Sequence, residues 1–178
     1  MEWLLQADLA VTGWINTHLH TALLDAVLPF VTTLGDNGFI WILFTVCLLL
    51  FKRTRRWGMV CGIALLTGYL TGEVFLKNLV ARARPFTHLE GFQLLIPEPA
   101  GFSFPSGHSA SSFAGATSLF FMNHRNGWWA YPLAGLIAFS RVYLSVHFVT
   151  DITAGILLGV ASAFFARWLC DRYLARTP

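Results

Sequence analysis

The chain has 178 residues, of which 56% are hydrophobic and only 12% are charged, against about a quarter charged in a typical soluble domain. So few charges could hardly cover a water-facing surface, so the composition excludes a soluble enzyme and predicts one compact bundle covered by lipid. The net charge of +3 is modest, and the aromatic residues lie in apolar runs rather than along a basic stripe, which argues against nucleic-acid binding.

Residues 1–36 are predicted to form amphipathic helices that lie at the membrane interface. Polar residues and a proline interrupt the apolar pattern, among them Asn16, His20, Asp25 and Pro29. A segment of this kind favours the interface plane over a full crossing. We therefore divide the chain into an N-terminal interfacial region, 1–36, and a transmembrane core, 37–178. A sixth span within the first region, which would place the N-terminus inside, is the alternative.

Five uncharged segments are predicted to cross the bilayer, which makes the fold an all-α, polytopic helical bundle. They run over residues 37–51, 57–72, 109–123, 126–140 and 152–166. Each is shorter than the ~20 residues that span hydrocarbon as a helix, so the helices should extend into flanking residues. Tryptophans, Trp41 among them, are expected at or near the interfaces. Gly155 and Gly159 have the spacing that lets two membrane helices approach closely.

The basic residues predict the orientation of these spans. Eight of the twelve fall on one side, which should be cytoplasmic: Lys52, Arg53, Arg55, Arg56, Arg125, Arg167, Arg172 and Arg176. The other four fall on the outer side, against the charge bias: Lys77, Arg82, Arg84 and Arg141. Cations on the disfavoured side need a functional reason.

Three motifs lie at that outer end. The first is Lys77-x6-Arg84-Pro85 at the end of the second span, where a spacing of seven residues predicts that Lys77 and Arg84 share a helix face. The second is Pro105-Ser106-Gly107-His108, which opens the third span. The third is Ser140-Arg141-x5-His147-x3-Asp151, across the turn between the last two spans. An irregular outer loop over 85–105 separates the first two motifs.

The residue types in these motifs have complementary chemistry for a phosphate group. Lys77, Arg84 and Arg141 would hold its negative charge, since guanidinium groups match phosphate oxygens. Ser106 and the backbone N–H groups of Gly107 and His108, at a helix N-terminus, would add further donors.

Two histidines are the candidate catalytic groups. Asp151, four residues after His147, would accept a hydrogen bond from its ring and leave the other ring nitrogen free to attack phosphorus. His108 has no such partner nearby in sequence and suits the acid that protonates the leaving oxygen.

Each motif alone also has an ordinary structural explanation. Lysine and arginine extend to lipid headgroups, a His–Asp pair one turn apart often has only a structural role, and Pro-Ser-Gly is a good helix start. Three such motifs that converge on one side favour a common phosphate site.

The ordered set of three motifs resembles the signature of the type 2 phosphatidic acid phosphatase family, and it spans Lys77 to Asp151 without a departure. The resemblance implies that His147 is the nucleophile, Asp151 orients it, and His108 is the general acid. It implies phosphate binding by Lys77, Arg84, Ser106, Gly107 and Arg141. It also implies a metal-independent reaction without a cofactor, and a helical core that haloperoxidases binding vanadate share.

Bacterial membrane members of that family act on phosphatidylglycerophosphate, phosphatidic acid or undecaprenyl pyrophosphate. The resemblance therefore implies a lipid phosphatase of the bacterial cytoplasmic membrane whose site faces the periplasm or exterior. A phosphotransferase that uses the same site, and a small non-enzymatic transporter, are the alternatives. The motifs leave the lipid and the oligomeric state open. Among other residues, Glu73 is expected to pair with Lys77, and Arg82 is not expected to bind phosphate.

Overall fold

The computed structural model describes residues 2–89 and 93–173, within which all regular structure is helical, as predicted. The α-helices are α1 (Glu2–His18), α2 (Ala22–Thr33), α3 (Phe39–Leu50), α4 (Arg55–Tyr69), α5 (Lys77–Val80), α6 (Gly107–Met122), α7 (Ala130–Tyr143) and α8 (Val149–Tyr173). A π-helix over Leu70–Leu76 joins α4 to α5, and short 3-10 helices lie at Asp36–Gly38, Pro85–His88 and Gly127–Trp129. Arg176 of the predicted cytoplasmic set lies outside the described residues.

The long apolar helices suit a membrane protein, while the number of spans stays a prediction. By length and composition, the run Arg55–His88 and helix α8 could each cross a bilayer. The pair Ala22–Thr33 and Asp36–Leu50, bent by 45°, could form a third span. Helices α6 and α7 have only 16 and 14 residues. The bent pair straddles the predicted boundary between 1–36 and 37–178, and that division remains a prediction as well.

Helix α6 lies at the centre of the bundle, where it packs against α4, α7 and α8. Small buried residues make this position possible, since Ala114, Gly115 and Ala116 let neighbouring elements come close. The ring of Trp41 packs directly on Gly115 and donates its indole N–H to Ser112 Oγ at 3.0 Å. Trp41 is therefore buried in the core, because the glycine on α6 leaves space for its ring, and its position relative to the membrane interface stays a prediction.

Helices α6 and α8 are in backbone contact through the two glycines singled out in the sequence. A Cβ at Gly155 would lie 2.5 Å from the Ser106 carbonyl oxygen, and one at Gly159 would collide with the Ala110 carbonyl oxygen. The Ser106 N–H also donates to the Asp151 carbonyl at 3.1 Å. This close approach places the start of α6 beside the start of α8, so the second and third motifs meet.

The N-terminal helices pack on the C-terminal part of the bundle. Helix α1 contacts α7 and α8, and α2 contacts α7. Ile15 and Leu28 are buried in a core cluster with residues of α7. Tyr143 at the end of α7 donates a hydrogen bond to Asp25 Oδ1 at 2.6 Å. Both helices are therefore positioned by α7, directly before the loop that carries His147.

Candidate active site

A cavity of about 540 Å³ collects residues from all three motifs. Six of the eight predicted site residues line it: Lys77, Arg84, Gly107, His108, Arg141 and His147. Ser106 and Asp151 do not line the cavity and are fully buried behind it. The cavity continues along an apolar wall formed by Ile42 of α3 and by Leu65, Leu66 and Tyr69 of α4. A charged end and an apolar extension therefore share one space.

Lys77 is the first residue of α5, directly after the π-helix, and its side chain reaches the cavity. Its ammonium group forms hydrogen bonds with both carboxylate oxygens of Glu73, at 2.7 and 2.6 Å, so the predicted pair is confirmed. The shared helix face of Lys77 and Arg84 is wrong, because α5 ends at Val80 and Ala81 adopts a left-handed φ of 48°. The two cations meet in the cavity because the chain folds back after Ala81.

Arg84 is buried and is held by the backbone of two loops. Its guanidinium group donates to the carbonyl oxygens of Ala100, Gly101 and Val146 at 3.1, 3.0 and 2.9 Å. These carbonyls use three of its five N–H donors and carry no full charge. The group keeps its positive charge and its remaining donors available for an anion in the cavity.

Arg141 and the start of α6 form the opposite part of the cavity wall. One terminal nitrogen of Arg141 donates to Thr32 Oγ1 at 2.7 Å, while its buried Nε has no hydrogen-bond partner within the described residues. A buried donor without a protein partner is uncommon, and this N–H can donate to an anion bound in the cavity. Ser106 caps α6 through its hydroxyl, which accepts from Ser109 N at 3.4 Å. Its hydroxyl is therefore engaged within the cap.

His147 lies in the loop between α7 and α8, with its Nε2 3.4 Å from an Arg84 terminal nitrogen. The ring is buried. Burial lowers the pKa of His147 to about 3, Asp151 opposes this effect, and Arg141 and Arg84 add to it. The imidazole is therefore neutral near pH 7, as a nucleophile requires.

The expected direct hydrogen bond between His147 and Asp151 is not formed. The two residues are not on one helix face, because α8 begins at Val149, and Nδ1 lies 3.6 Å from Asp151 Oδ2. Ser103 lies between them: its hydroxyl donates to Oδ2 and is 3.4 Å from Nδ1. Oδ2 also accepts from the Phe148 N–H at 2.9 Å. Ser103 belongs to the irregular loop, and the sequence analysis did not single it out.

His108 has a carboxylate partner that the sequence analysis missed. Its Nε2 lies 3.0 Å from Asp36 Oδ1 in the short helix between α2 and α3. Directly after Asp36 the chain turns into α3 through two left-handed residues, Asn37 with a φ of 51° and Gly38 with 72°. Asp36 is 72 residues from His108 in sequence, so no local pattern pairs them.

The chain is similar to known proteins in both sequence and fold. A family model described as the PAP2 superfamily matches residues 56–173. The chain belongs to the PAP2 superfamily. The resemblance to type 2 phosphatidic acid phosphatases is therefore confirmed, and the match contains all three motifs.

Similar proteins are named for lipid phosphates and diphosphates. An undecaprenyl-diphosphatase of Sulfolobus acidocaldarius is 36% identical over 149 residues, which cover 82% of this chain and 70% of the relative. Phosphatidylglycerophosphatase B of Bacillus subtilis is 33% identical over 157 residues, which cover 81% and 74%.

A solved structure has the same fold. A transmembrane PAP2-type phosphatidylglycerolphosphate phosphatase from Bacillus subtilis superposes with a TM-score of 0.81 at 26% identity, over 97% of this chain and 89% of that chain. Together with the apolar helices, these relatives identify an integral membrane protein of the PAP2 type.

Proposed function

We propose that this chain hydrolyses lipid phosphates or isoprenyl diphosphates through a phosphohistidine on His147, at the outer face of a bacterial cytoplasmic membrane. The observation that carries the proposal is the single cavity in which a neutral imidazole meets three cations, Lys77, Arg84 and Arg141. A phosphate group bound by these cations would present its phosphorus to Nε2 of His147.

The reaction would proceed in two steps. Nε2 attacks phosphorus, a P–N bond forms, and the P–O bond to the lipid breaks while a protonated His108 gives its proton to the leaving oxygen. Burial lowers the pKa of His108 to about 2, so this proton has to be taken up together with the substrate, whose negative phosphate favours the imidazolium. Water then attacks the phosphohistidine with His108 as base, so the P–N bond breaks and inorganic phosphate leaves. The cations stabilise the charge that develops on the phosphoryl oxygens in both steps. No step requires a metal.

The apolar extension of the cavity supports a lipid as the substrate. Ile42 on α3, and Leu66 and Tyr69 on α4, line the cavity and are also exposed on the surface of the bundle. In a membrane this surface faces lipid, so an acyl or isoprenyl chain can remain in the bilayer between α3 and α4. The phosphate then enters the charged end from the side.

Purified protein in detergent tests the proposal directly. Phosphatidylglycerophosphate, phosphatidic acid and undecaprenyl pyrophosphate are supplied in turn, and released phosphate is measured. We expect release that persists with EDTA and is blocked by vanadate. We expect a His147→Gln variant to lose about a thousandfold or more, because the nucleophile is absent. Substitution of the exposed, remote His124 by glutamine is the matched control and should keep full activity.

Three outcomes would contradict parts of the proposal. A wild-type protein that releases no phosphate from any of these lipids would refute the hydrolase. A phosphorylated second lipid in place of free phosphate would identify a phosphotransferase. Phosphate release by the His147→Gln variant at the wild-type rate would exclude the phosphohistidine.

A further inference from the structure

Helix α1 brings one buried carboxylate, Asp8, to the rear of the active site. Asp8 is only 4% exposed. Its Oδ2 accepts from an Arg82 terminal nitrogen at 2.7 Å and from the Thr150 hydroxyl, and its Oδ1 accepts from the Thr150 N–H at 3.2 Å. Asp8 lies outside the region matched by the family model and outside the three motifs.

Arg82 connects this carboxylate to Asp151. Its other terminal nitrogen donates to Asp151 Oδ1 at 2.6 Å and to Thr150 Oγ1 at 2.7 Å. The guanidinium group also lies over the Phe148 ring, 4.0 Å from the ring centroid. Contacts on its edges and its face fix the plane of the group, so Arg82 holds Asp151 in one orientation.

The net charge of the cluster formed by Asp8, Arg82 and Asp151 depends on Asp8. One guanidinium group serves two carboxylates, so the three side chains together keep one net negative charge. Without Asp8, Arg82 would neutralise Asp151 alone. The negative charge matters because the His147 imidazole becomes cationic when Nε2 bonds to phosphorus, and a nearby anion stabilises that cation.

We propose that Asp8 is a positioning residue for phosphoryl transfer, which acts through Arg82 and Asp151 on His147. This inference rests on the proposed phosphatase function. Helix α1 would then support catalysis through Asp8, in addition to packing against α7 and α8. Asp8 does not line the cavity, so its effect should fall on the chemical step rather than on substrate binding.

A structural role of α1 predicts a different result, and Asn16 provides the comparison. Asn16 lies on the same helix, and its Oδ1 accepts from Ser145 Oγ at 3.0 Å in the loop that carries His147. Both residues therefore attach α1 to the same region, but only Asp8 contacts Arg82. Asn16→Ala removes an attachment without changing the charge balance at Asp151.

The experiment compares Asp8→Asn, Asp8→Glu and Asn16→Ala in the purified chain, with phosphate release from phosphatidic acid as the readout. For Asp8→Asn we expect kcat to fall about tenfold or more, because the cluster then loses the negative charge that stabilises the cationic phosphohistidine, with KM changed less than about twofold. Asp8→Glu should restore a large part of kcat because it restores the charge. Asn16→Ala should keep kcat within about twofold of the wild type.

Each other outcome has a defined meaning. A wild-type protein without activity refutes the proposed function and not the role of Asp8. An active wild type with an Asp8→Asn variant of unchanged kcat refutes the role of Asp8, as does an equal loss in Asn16→Ala. If Asp8→Asn does not fold, Asp8→Ser replaces it, since this smaller side chain also removes the carboxylate and leaves Arg82 paired with Asp151. Unchanged kcat in Asp8→Ser would then overturn the inference.

Discussion

The burial of the His147 ring decides its protonation state. A cationic imidazole is costly away from water, and the two nearby guanidinium groups of Arg84 and Arg141 increase that cost. The consequence for catalysis is a neutral nucleophile. The consequence for folding is a pH-dependent stability, since the unfolded chain exposes the same ring to water.

This histidine should make the fold less stable in mild acid. The pKa of His147 is about 3 in the folded protein and about 6.5 in an unfolded chain. Between these values the unfolded state binds the extra proton, so the stability present above pH 6.5 is lost progressively as pH falls toward 3. Thermal unfolding in detergent from pH 7 to pH 4.5 measures the effect. The wild type should lose more stability over this range than the His147→Gln variant, and parallel pH profiles would contradict the expectation.

Asp36 orients the general acid of the proposed mechanism. Because its carboxylate holds the His108 ring by a hydrogen bond at 3.0 Å, we expect Asp36→Asn to lower kcat about tenfold for phosphatidic acid. An aryl phosphate with a good leaving group needs little acid catalysis, so its hydrolysis should change much less. Released phosphate from the two substrates gives the comparison. Equal losses for both would contradict a role in protonation of the leaving group.

At the residue level, the sequence identifies most of the groups that line the cavity and misses those that contact them from behind. Six of the eight predicted residues line the cavity. The supporting residues Ser103, Asp36 and Asp8 are separated by 48, 72 and 143 residues from the groups that they serve, Asp151 and His108. No periodic pattern connects residues that far apart, so only the folded chain reveals the pairs.

At the level of elements, the contact between α6 and α8 decides whether two motifs meet. Gly159 leaves no room for a side chain against the α6 backbone, whereas a Cβ at Gly135 on α7 would meet nothing within 4 Å. We expect Gly159→Ala to destabilise the fold by about 1–3 kcal/mol and to lower activity, because the two helices must separate. Gly135→Ala is the matched control and should be neutral or slightly stabilising.

Thermal unfolding and phosphate release measure both variants. A Gly159→Ala variant as stable and active as Gly135→Ala would show that the helices can separate without cost. The sequence predicted the close approach from the glycine spacing. It did not predict which helix would be approached, because glycines mark a surface that permits contact and carry no information about the partner.

Lys77 and Arg84 line the same cavity, as their spacing predicted, but they do not share a helix face. Seven residues predict a shared face only where a regular helix continues. Here the π-helix Leu70–Leu76 leads into α5, and the left-handed Ala81 ends that helix before Arg84. Such wide turns frequently occur at functional sites. In this chain the π-helix contains Glu73, which pairs with Lys77, and the turn at Ala81 after α5 brings Arg84 to the same cavity.

For the whole molecule, the proposed orientation can be tested with single cysteines. Lys52 and Glu98 are exposed and lie on the predicted inner and outer sides. In a Cys47→Ser background, which removes the exposed native cysteine, Glu98→Cys in spheroplasts should react with a membrane-impermeant thiol reagent. Lys52→Cys should react only after lysis. The reverse pattern would place the active site on the cytoplasmic side, and reaction of both after lysis is the control.

The sequence by itself determined the helical fold class and most of the residues that line the cavity. Composition alone requires lipid to cover the chain, and the three motifs place cations, a helix N-terminus and two histidines at one end of the bundle. These properties are readable because they depend on residue type and on local spacing.

Only the tertiary structure decided how that site is held. It placed Ser103 between His147 and Asp151, Asp36 against His108, and Asp8 behind Arg82. The physical reason is that buried polar groups need hydrogen-bond partners, and a compact bundle supplies them from whichever segment packs alongside. That choice is made by packing between distant segments, which no local pattern in the sequence specifies.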